Sequence, residues 1–229
     1  MGVLFIVATA ASLLGTAIEG PVMTGPYYLT RMSENMTRLS TGGLLELIAA
    51  GTSAGIAISL YPVLKKWSGT LALGAVVFRA MEAVMYTLGA VSMLSLLKVA
   101  QQFTQTASAD RAWFQAIGDS LFGMRQEAIL AGVFAFAVGA LMYYSVFYRS
   151  RLVPHWLSAW GIAGALLMLV ACLSALFRQN SVTSYTILVL PIAVQEMVMA
   201  IWLIARGFIS NEAGHQKRTH AIRFASTIQ

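Results

Sequence analysis

The stretch LALGAVVFRAMEAVMYTLGAVSMLSLL, residues 71–97, contains no charged residue other than Arg79 and Glu82. About 20 consecutive apolar residues cross the hydrocarbon core of a bilayer, so this run predicts a membrane-spanning helix. An ionised side chain at the bilayer centre costs about 2.5–3.5 kcal/mol on insertion scales. Arg79 and Glu82 are three positions apart and share one helix face with Tyr86. We therefore expect this face to turn toward other helices and away from lipid.

Two interpretations of the Arg79–Glu82 pair are open. A pair at positions i and i+3 can neutralise itself, and would then only fix the packing of the helix. Ionisable side chains at membrane depth also mark sites for substrates, ions or protons. The sequence supports both interpretations equally.

Composition places the chain among membrane proteins. Of its 229 residues, 58% are hydrophobic and 10% are charged, whereas soluble domains carry about 25% charged residues. The mean hydropathy is +0.73. A net charge of +6 is better explained by membrane orientation and by anionic lipid headgroups than by nucleic acid. The expected partners are membrane lipids and, in some of the hypotheses below, a small ligand.

Six segments are apolar and long enough to span a bilayer. The first lacks the preceding basic residues and the cleavage motif of a signal peptide, so it is predicted to be a spanning helix. The six segments are residues 2–18, 44–64, 71–97, 128–148, 156–177 and 185–205. The predicted fold is an all-α polytopic bundle of about six helices, forming one domain over residues 1–208, with a polar basic tail over residues 209–229.

Two long connections separate these segments. Residues 20–43 are predicted to form a polar loop, and residues 98–124 to form the longest internal loop. In the second, Trp113, Ile117 and Leu121 recur every four positions. This spacing predicts a short amphipathic helix lying in the membrane interface.

Basic residues predict the orientation of the chain, because loops rich in lysine and arginine stay on the cytoplasmic side. With six spans, one side holds Lys65, Lys66, Arg149, Arg151, Arg206, Lys217, Arg218 and Arg223. The other side holds Arg31, Arg38, Lys98, Arg111, Arg125 and Arg178, in longer loops that also carry acidic residues. Both termini are therefore predicted to be cytoplasmic, in a multi-pass protein of the bacterial plasma membrane.

Several polar residues lie inside or at the ends of the predicted spans. If four of the spans meet, these residues would line a polar track from the outer face to mid-membrane. The charged members comprise two basic and four acidic residues, so some carboxyls would have to be protonated, solvated or bound to a cation. The candidate cluster is Glu46, Arg79, Glu82, Tyr86, Arg125, Glu127, Gln195 and Glu196.

Five segments of the chain resemble a bacterial family of small multi-span membrane proteins, domain of unknown function 4386. They read LLELI at 44–48, LYPVLKK at 60–66, FRxxE at 78–82, YRSRLVPHWLS at 148–158 and LPIAVQEMV at 190–198. The resemblance covers nearly the whole chain except the tail. It implies an integral membrane protein and no particular activity.

Three functional hypotheses follow. The first is a structural or accessory integral membrane protein whose polar residues hold the bundle together. The second is a small transporter or ligand-binding membrane protein that uses the Glu/Arg cluster. The third, ranked last, is an intramembrane lipid-modifying enzyme with a glutamate as general acid or base. The sequence assigns no catalytic residue, metal site or cofactor, because its histidines lie at a span boundary and in the tail, and Cys172 is its only cysteine.

Overall fold

A computed structural model describes residues 1–25, 27–107 and 111–209. Every regular element in these ranges is helical, which confirms the all-α prediction. The helices are α1 Gly2–Met23, α2 Tyr28–Glu34, α3 Met36–Leu64, α4 Gly69–Gln105, α5 Arg111–Ser150, α6 His155–Arg178 and α7 Thr186–Ala205. A short 3-10 turn, Val182–Tyr185, precedes α7. All but the first residue of the predicted tail lies outside the described residues.

Six of these helices, all except α2, are long and apolar enough to cross a membrane, as predicted. The protein is therefore a multi-pass membrane protein. Each spanning helix packs against the next one along the chain, and α1 also packs against α7. The six helices thus close into a ring, and side chains on the inner faces meet in its centre.

The ring has two ends that are defined by α1. We call the end at which α1 begins the proximal end, and the end at which α1 stops the distal end. Because the spans alternate in direction, the end of α7 returns to the proximal end. Gly2 packs there against Ala200 and Ile204, and the amide of Ile209 donates a hydrogen bond to the carbonyl of Leu152 at 2.9 Å.

The main apolar core surrounds the second half of α5. Tyr143, Tyr144 and Phe147 are completely buried in it. Phe5 of α1 packs edge-on against Tyr143, with 6.5 Å between ring centroids, and Phe208 packs against Phe147 at 5.7 Å. Large aromatic rings bury more apolar area than most side chains, so this half of α5 is the centre of the proximal core.

The prediction of a long internal loop over residues 98–124 is wrong. Helix α4 continues to Gln105 and α5 already begins at Arg111. At 1.5 Å per residue these helices are about 55–60 Å long, well beyond the roughly 30 Å of hydrocarbon that a span needs. A hydropathy pattern ends where polar residues appear, but the helical hydrogen bonds continue through them.

The predicted interfacial helix is instead the first part of α5. Trp113 and Ile117 are exposed, whereas Leu121 packs against a second apolar cluster at the distal end. That cluster joins α2 to α4 and α5 through Leu29, Met32, Leu96 and Leu97, among others.

Residues 20–43, predicted to be a polar loop, are also mostly helical. They contain the end of α1, all of α2 and the start of α3. Burial of Leu29, Met32 and Leu39 in the distal cluster stabilises α2 and the start of α3. Tyr28 donates a hydrogen bond to Asp119 at 2.7 Å, and burial, reinforced by that carboxylate, raises the pKa of Tyr28 above its ordinary value.

Glycine allows one especially close helix contact. A Cβ atom on Gly164 of α6 would stand 3.1 Å from the Cα atom of Ile192 in α7. This distance is tighter than ordinary van der Waals contact, and backbone cannot move aside as a flexible side chain can. Gly164 therefore sets the separation of α6 and α7. Helix α7 carries two of the candidate residues, Gln195 and Glu196.

We expect Gly164→Ala to lower the free energy of unfolding by about 1–3 kcal/mol, because an added methyl group overpacks the α6–α7 contact. Thermal unfolding in detergent measures this change. Gly51→Ala in α3 is the matched control, since no atom lies within 4 Å of its Cβ position and alanine is the better helix former. Equal melting temperatures for the two variants would contradict the assigned role of Gly164.

Candidate functional site

The structure places the predicted polar residues in two separate groups. Glu46 and Arg125 belong to a distal group, whereas Arg79, Glu82 and Glu196 belong to a group closer to the middle of the bundle. On α3, Glu46 of the first group and Ser53 beside the second are seven residues apart, which is about 10 Å along the helix axis. Glu127 is exposed and takes part in neither group.

The distal group is built around the guanidinium of Arg125. Its Nη1 donates to Glu46 Oε2 at 2.8 Å and to the carbonyl of Gly89 at 3.0 Å. Its Nη2 donates to the other oxygen of Glu46 and to Glu19 Oε2. Arg125 therefore binds Glu46 with both of its terminal nitrogens and connects α1, α3, α4 and α5. We call these four residues the distal clamp.

The distal clamp is a closely packed ion-pair network. Arg125 and Glu19 are buried, and Glu46 is half-buried. Gly42 makes room for Glu19, because a Cβ atom at this position would collide with Glu19 Oε1. Bidentate contacts between arginine and carboxylates are among the strongest hydrogen bonds in proteins. This arrangement gives each terminal nitrogen of Arg125 two acceptors and connects four helices, whereas Glu19 Oε1 has no hydrogen-bond partner among the described residues.

The central group begins with the predicted pair on α4. Arg79 Nη1 lies 3.0 Å from Glu82 Oε2, and both residues are buried. The two atoms are in ionic contact but are not aligned as a hydrogen bond, and Arg79 Nε has no hydrogen-bond partner among the described residues. The guanidinium carbon also lies 4.8 Å from the centroid of the Phe136 ring. Arg79 is neutralised by Glu82 yet keeps unused donors.

Glu196 of α7 faces the same space without a basic partner. Thr9 donates to its Oε2 at 3.4 Å and Tyr143 to its Oε1 at 3.3 Å. Both distances exceed the 2.5–3.0 Å of usual O–H···O bonds. Within the described residues, no basic group lies within 4.0 Å of this carboxyl. Glu196 is thus buried, weakly hydrogen-bonded and free of any ion pair.

A cavity of about 120 Å³ lies between these side chains. A single buried water needs about 15 Å³ by the same measure, so the space accommodates several waters or a ligand headgroup. Its polar lining consists of Thr9, Ser12, Ser53, Arg79, Glu82, Tyr86 and Glu196. The remaining lining is apolar and includes Leu13, Phe136, Met168, Val189 and Ile192.

Gln195, the neighbour of Glu196, has a different role. Its Nε2 donates to the carbonyl of Leu157 at 3.0 Å, and its Oε1 accepts a hydrogen bond from Tyr144. Successive helical residues point about 100° apart, so Gln195 ties α7 to α5 and α6 while Glu196 points into the cavity. Of the predicted residues, Gln195 is therefore a packing residue and does not line the cavity.

Tyr86, a member of the candidate cluster, lines the cavity, and its ring packs closely against Gly132 of α5. Tyr143 and Tyr144 were missed, because two tyrosines near the end of an apolar run are typical of a membrane–water interface. Both are completely buried instead, with ring centroids 4.4 Å apart. Only the packing of α5 against its neighbours reveals that they face Gln195 and Glu196.

Ser53 was also missed, although its hydroxyl lies beside Glu82. The signal that could have found it is the pattern GTSAG at 51–55, which has the form GxSxG. In hydrolases this pattern forms a sharp turn between a strand and a helix. Here it lies inside the continuous helix α3, so the turn that exposes a nucleophilic serine is lacking.

We expect Arg125→Ala to lower the free energy of unfolding by about 3–5 kcal/mol, because it leaves the carboxylates of the distal clamp without their cation. Thermal unfolding in detergent is the measurement. Arg178→Ala is the control, since Arg178 is exposed and surface substitutions change stability by about 0.5 kcal/mol or less. A melting temperature of Arg125→Ala equal to that of this control would show that the clamp does not hold the helices together.

Comparison with known proteins identifies the family of the chain. The family model described as Domain of unknown function (DUF4386) matches residues 1–207. The comparisons with curated proteins and with solved structures found no match. Because the family model covers all six spanning helices together with both polar groups, the chain belongs to the DUF4386 family.

Proposed function

We propose that this protein is a small-molecule-binding membrane protein, of the transporter or receptor type, and that the central cavity is its binding site. The observation that carries the proposal is Glu196, a buried carboxyl without an ion-pair partner that faces a cavity shared with Arg79 and Glu82. Concave sites with a mostly apolar lining and a few converging polar groups are typical of ligand pockets.

Comparison of the two polar groups supports this proposal. Each contains one arginine and two glutamates. In the distal clamp the guanidinium contacts both carboxylates directly, as a group that stabilises the bundle should. In the central group one carboxyl lacks a cation and Arg79 has a free donor. Burying a carboxyl without a cation, or an N–H group without an acceptor, costs free energy, and a ligand that pairs with either would recover part of that cost.

The accessory hypothesis is the second candidate, and the distal clamp favours it. A protein whose charges only hold helices together would need such a clamp and no cavity. This chain has both a clamp and a cavity. The clamp accounts for the role of stabilising the bundle, so we assign the cavity to a ligand. The enzyme hypothesis, with a glutamate as general acid or base, ranks third: it needs a nucleophile beside that glutamate, and Ser53, which lies beside Glu82, lacks the backbone turn of a hydrolase nucleophile.

We also propose that the proximal end faces the cytoplasm of a bacterial cell, with the protein in the plasma membrane. The support is the positive-inside rule. Basic residues at the proximal end are Lys65, Lys66, Arg149, Arg151 and Arg206. In the sequence, the tail that follows Arg206 adds Lys217, Arg218 and Arg223, which makes eight lysines and arginines after the second, fourth and sixth spans against six on the other side.

A cysteine placed in the cavity lining should react with a small thiol reagent. We expect Cys172→Ala/Ala193→Cys to be labelled in detergent by a methanethiosulfonate reagent, because Ala193 lines the cavity and the native Cys172 is buried. Intact-mass spectrometry measures the labelling. Cys172→Ala/Ala165→Cys is the control, since Ala165 is completely buried in the core. Equal resistance of both cysteines would mean that no accessible cavity exists.

Stability should separate a ligand site from a packing device. We expect Glu196→Gln to melt at or above the temperature of the parent, because a carboxyl kept for binding is retained at the expense of stability. Glu82→Gln should melt below the parent, since it removes the ion pair and leaves the buried Arg79 uncompensated. Thermal unfolding in detergent measures both. If Glu196→Gln melts as far below the parent as Glu82→Gln, the accessory hypothesis is preferred.

A further inference from the structure

The central cavity reaches the surface of the bundle between α1 and α7. Of its lining residues, Ser12 and Leu13 of α1 are exposed, and Val189 and Ala193 of α7 are half-buried. From this opening and from the charges behind it we infer that the cavity binds an amphipathic primary amine that enters sideways from the bilayer. The inference rests on the proposed binding function and specifies its ligand.

Helices α1 and α7 are in tight contact at the proximal end. There, a Cβ atom on Gly2 would stand 2.6 Å from the carbonyl oxygen of Ala200. Farther along, the contact between Thr9 and Glu196 is the most distal hydrogen bond between the two helices in the described part of the chain. Past that point the cavity lining is solvent-accessible at Leu13, which is 58% exposed. We call this place the α1–α7 opening.

The α1–α7 opening lies at the depth of the hydrocarbon core. Helix α1 has 22 residues, about 33 Å of helix, which matches the thickness of a bilayer core. Ser12 and Leu13 lie about 15 Å from its start at 1.5 Å per residue. An opening at mid-membrane faces lipid tails, so a molecule that partitions into the bilayer reaches it more readily than a hydrophilic solute does.

The charges inside the cavity select a cation. Arg79 neutralises Glu82, and Glu196 needs one further positive charge, from a proton or from a ligand. An amine can enter in its neutral form, take the proton of the Glu196 carboxyl on its nitrogen and remain as an ammonium ion beside the carboxylate. The N–H groups of that ammonium would donate short hydrogen bonds to Glu196. The present donors, Tyr143 at 3.3 Å and Thr9 at 3.4 Å, make only long ones.

The size and the lining of the cavity indicate the apolar part of the ligand. A cavity of about 120 Å³ holds a headgroup and a few methylenes but not a long chain. Leu13 and Val189 make the α1–α7 opening apolar, so an alkyl chain would lie along it with its end among the lipid tails. Phe136 and Met168 provide further apolar contacts within the cavity.

The test measures protection of a cavity cysteine in lipid nanodiscs. Decylamine is the probe, with decanoate as the control for charge and propylamine as the control for chain length. We expect decylamine to slow methanethiosulfonate labelling of Cys172→Ala/Ala193→Cys about tenfold when it occupies about nine sites in ten. It should not slow labelling of Cys172→Ala/Ala163→Cys, since Ala163 is an exposed alanine of α6. Adding Glu196→Gln to the first variant should remove the protection.

The other results overturn the inference in distinguishable ways. Protection by propylamine but not by decylamine would refute access from the bilayer, and protection by decanoate alone would refute the cation; the proposed binding function survives both. If the cysteine at position 193 is labelled and none of the probes slows its labelling, the inference that the ligand is an amine is overturned. Resistance of both Cys172→Ala/Ala193→Cys and Cys172→Ala/Ser12→Cys to labelling in detergent would refute the cavity and the proposed function together. Protection that persists with Glu196→Gln would show that the amine does not pair with this carboxyl.

Discussion

The guanidinium of Arg125 holds one half of the bundle together. It contacts side chains from α1 and α3 and a carbonyl of α4 while belonging to α5. In an apolar interior an arginine is stabilised where carboxylates and carbonyls surround it. These contacts fix the positions of α1 and α3 relative to α4. The central cavity lies on the proximal side of the distal clamp, between these three helices and α7.

Two groups of equal composition act differently because their geometry differs. In the distal clamp one arginine lies between two glutamates. In the central group Arg79 is turned toward Glu82 on its own helix, which leaves Glu196 on α7 without a cation. A local ion pair at positions i and i+3 needs no tertiary contact, and it places the guanidinium in direct contact with Glu82 and not with Glu196. This explains how a single bundle has both a stabilising network and an unsatisfied site.

Helix α7 combines packing and site residues at adjacent positions. Gln195 uses its donor and its acceptor to tie α7 to its neighbours, so its helix is held firmly where Glu196 begins. Tyr143 and Tyr144 support these two residues from α5. A carboxyl held by such packing is preorganised, and preorganisation lowers the entropy that a ligand must overcome on binding.

The sequence by itself determined the helical class and the six spans, because apolar runs in a bilayer must satisfy their backbone hydrogen bonds as helices. It also placed Arg79 and Glu82 on one face, since that is a property of a single helix. It missed the helical ends of α4 and α5, because hydropathy stops at the membrane border and helices do not. Only the tertiary structure decided that Arg125 joins Glu19 to Glu46, that Glu127 is exposed and that two tyrosines face inward. These features depend on how each helix is rotated about its own axis. Packing between helices sets that rotation, and the hydropathy pattern of the sequence does not contain it.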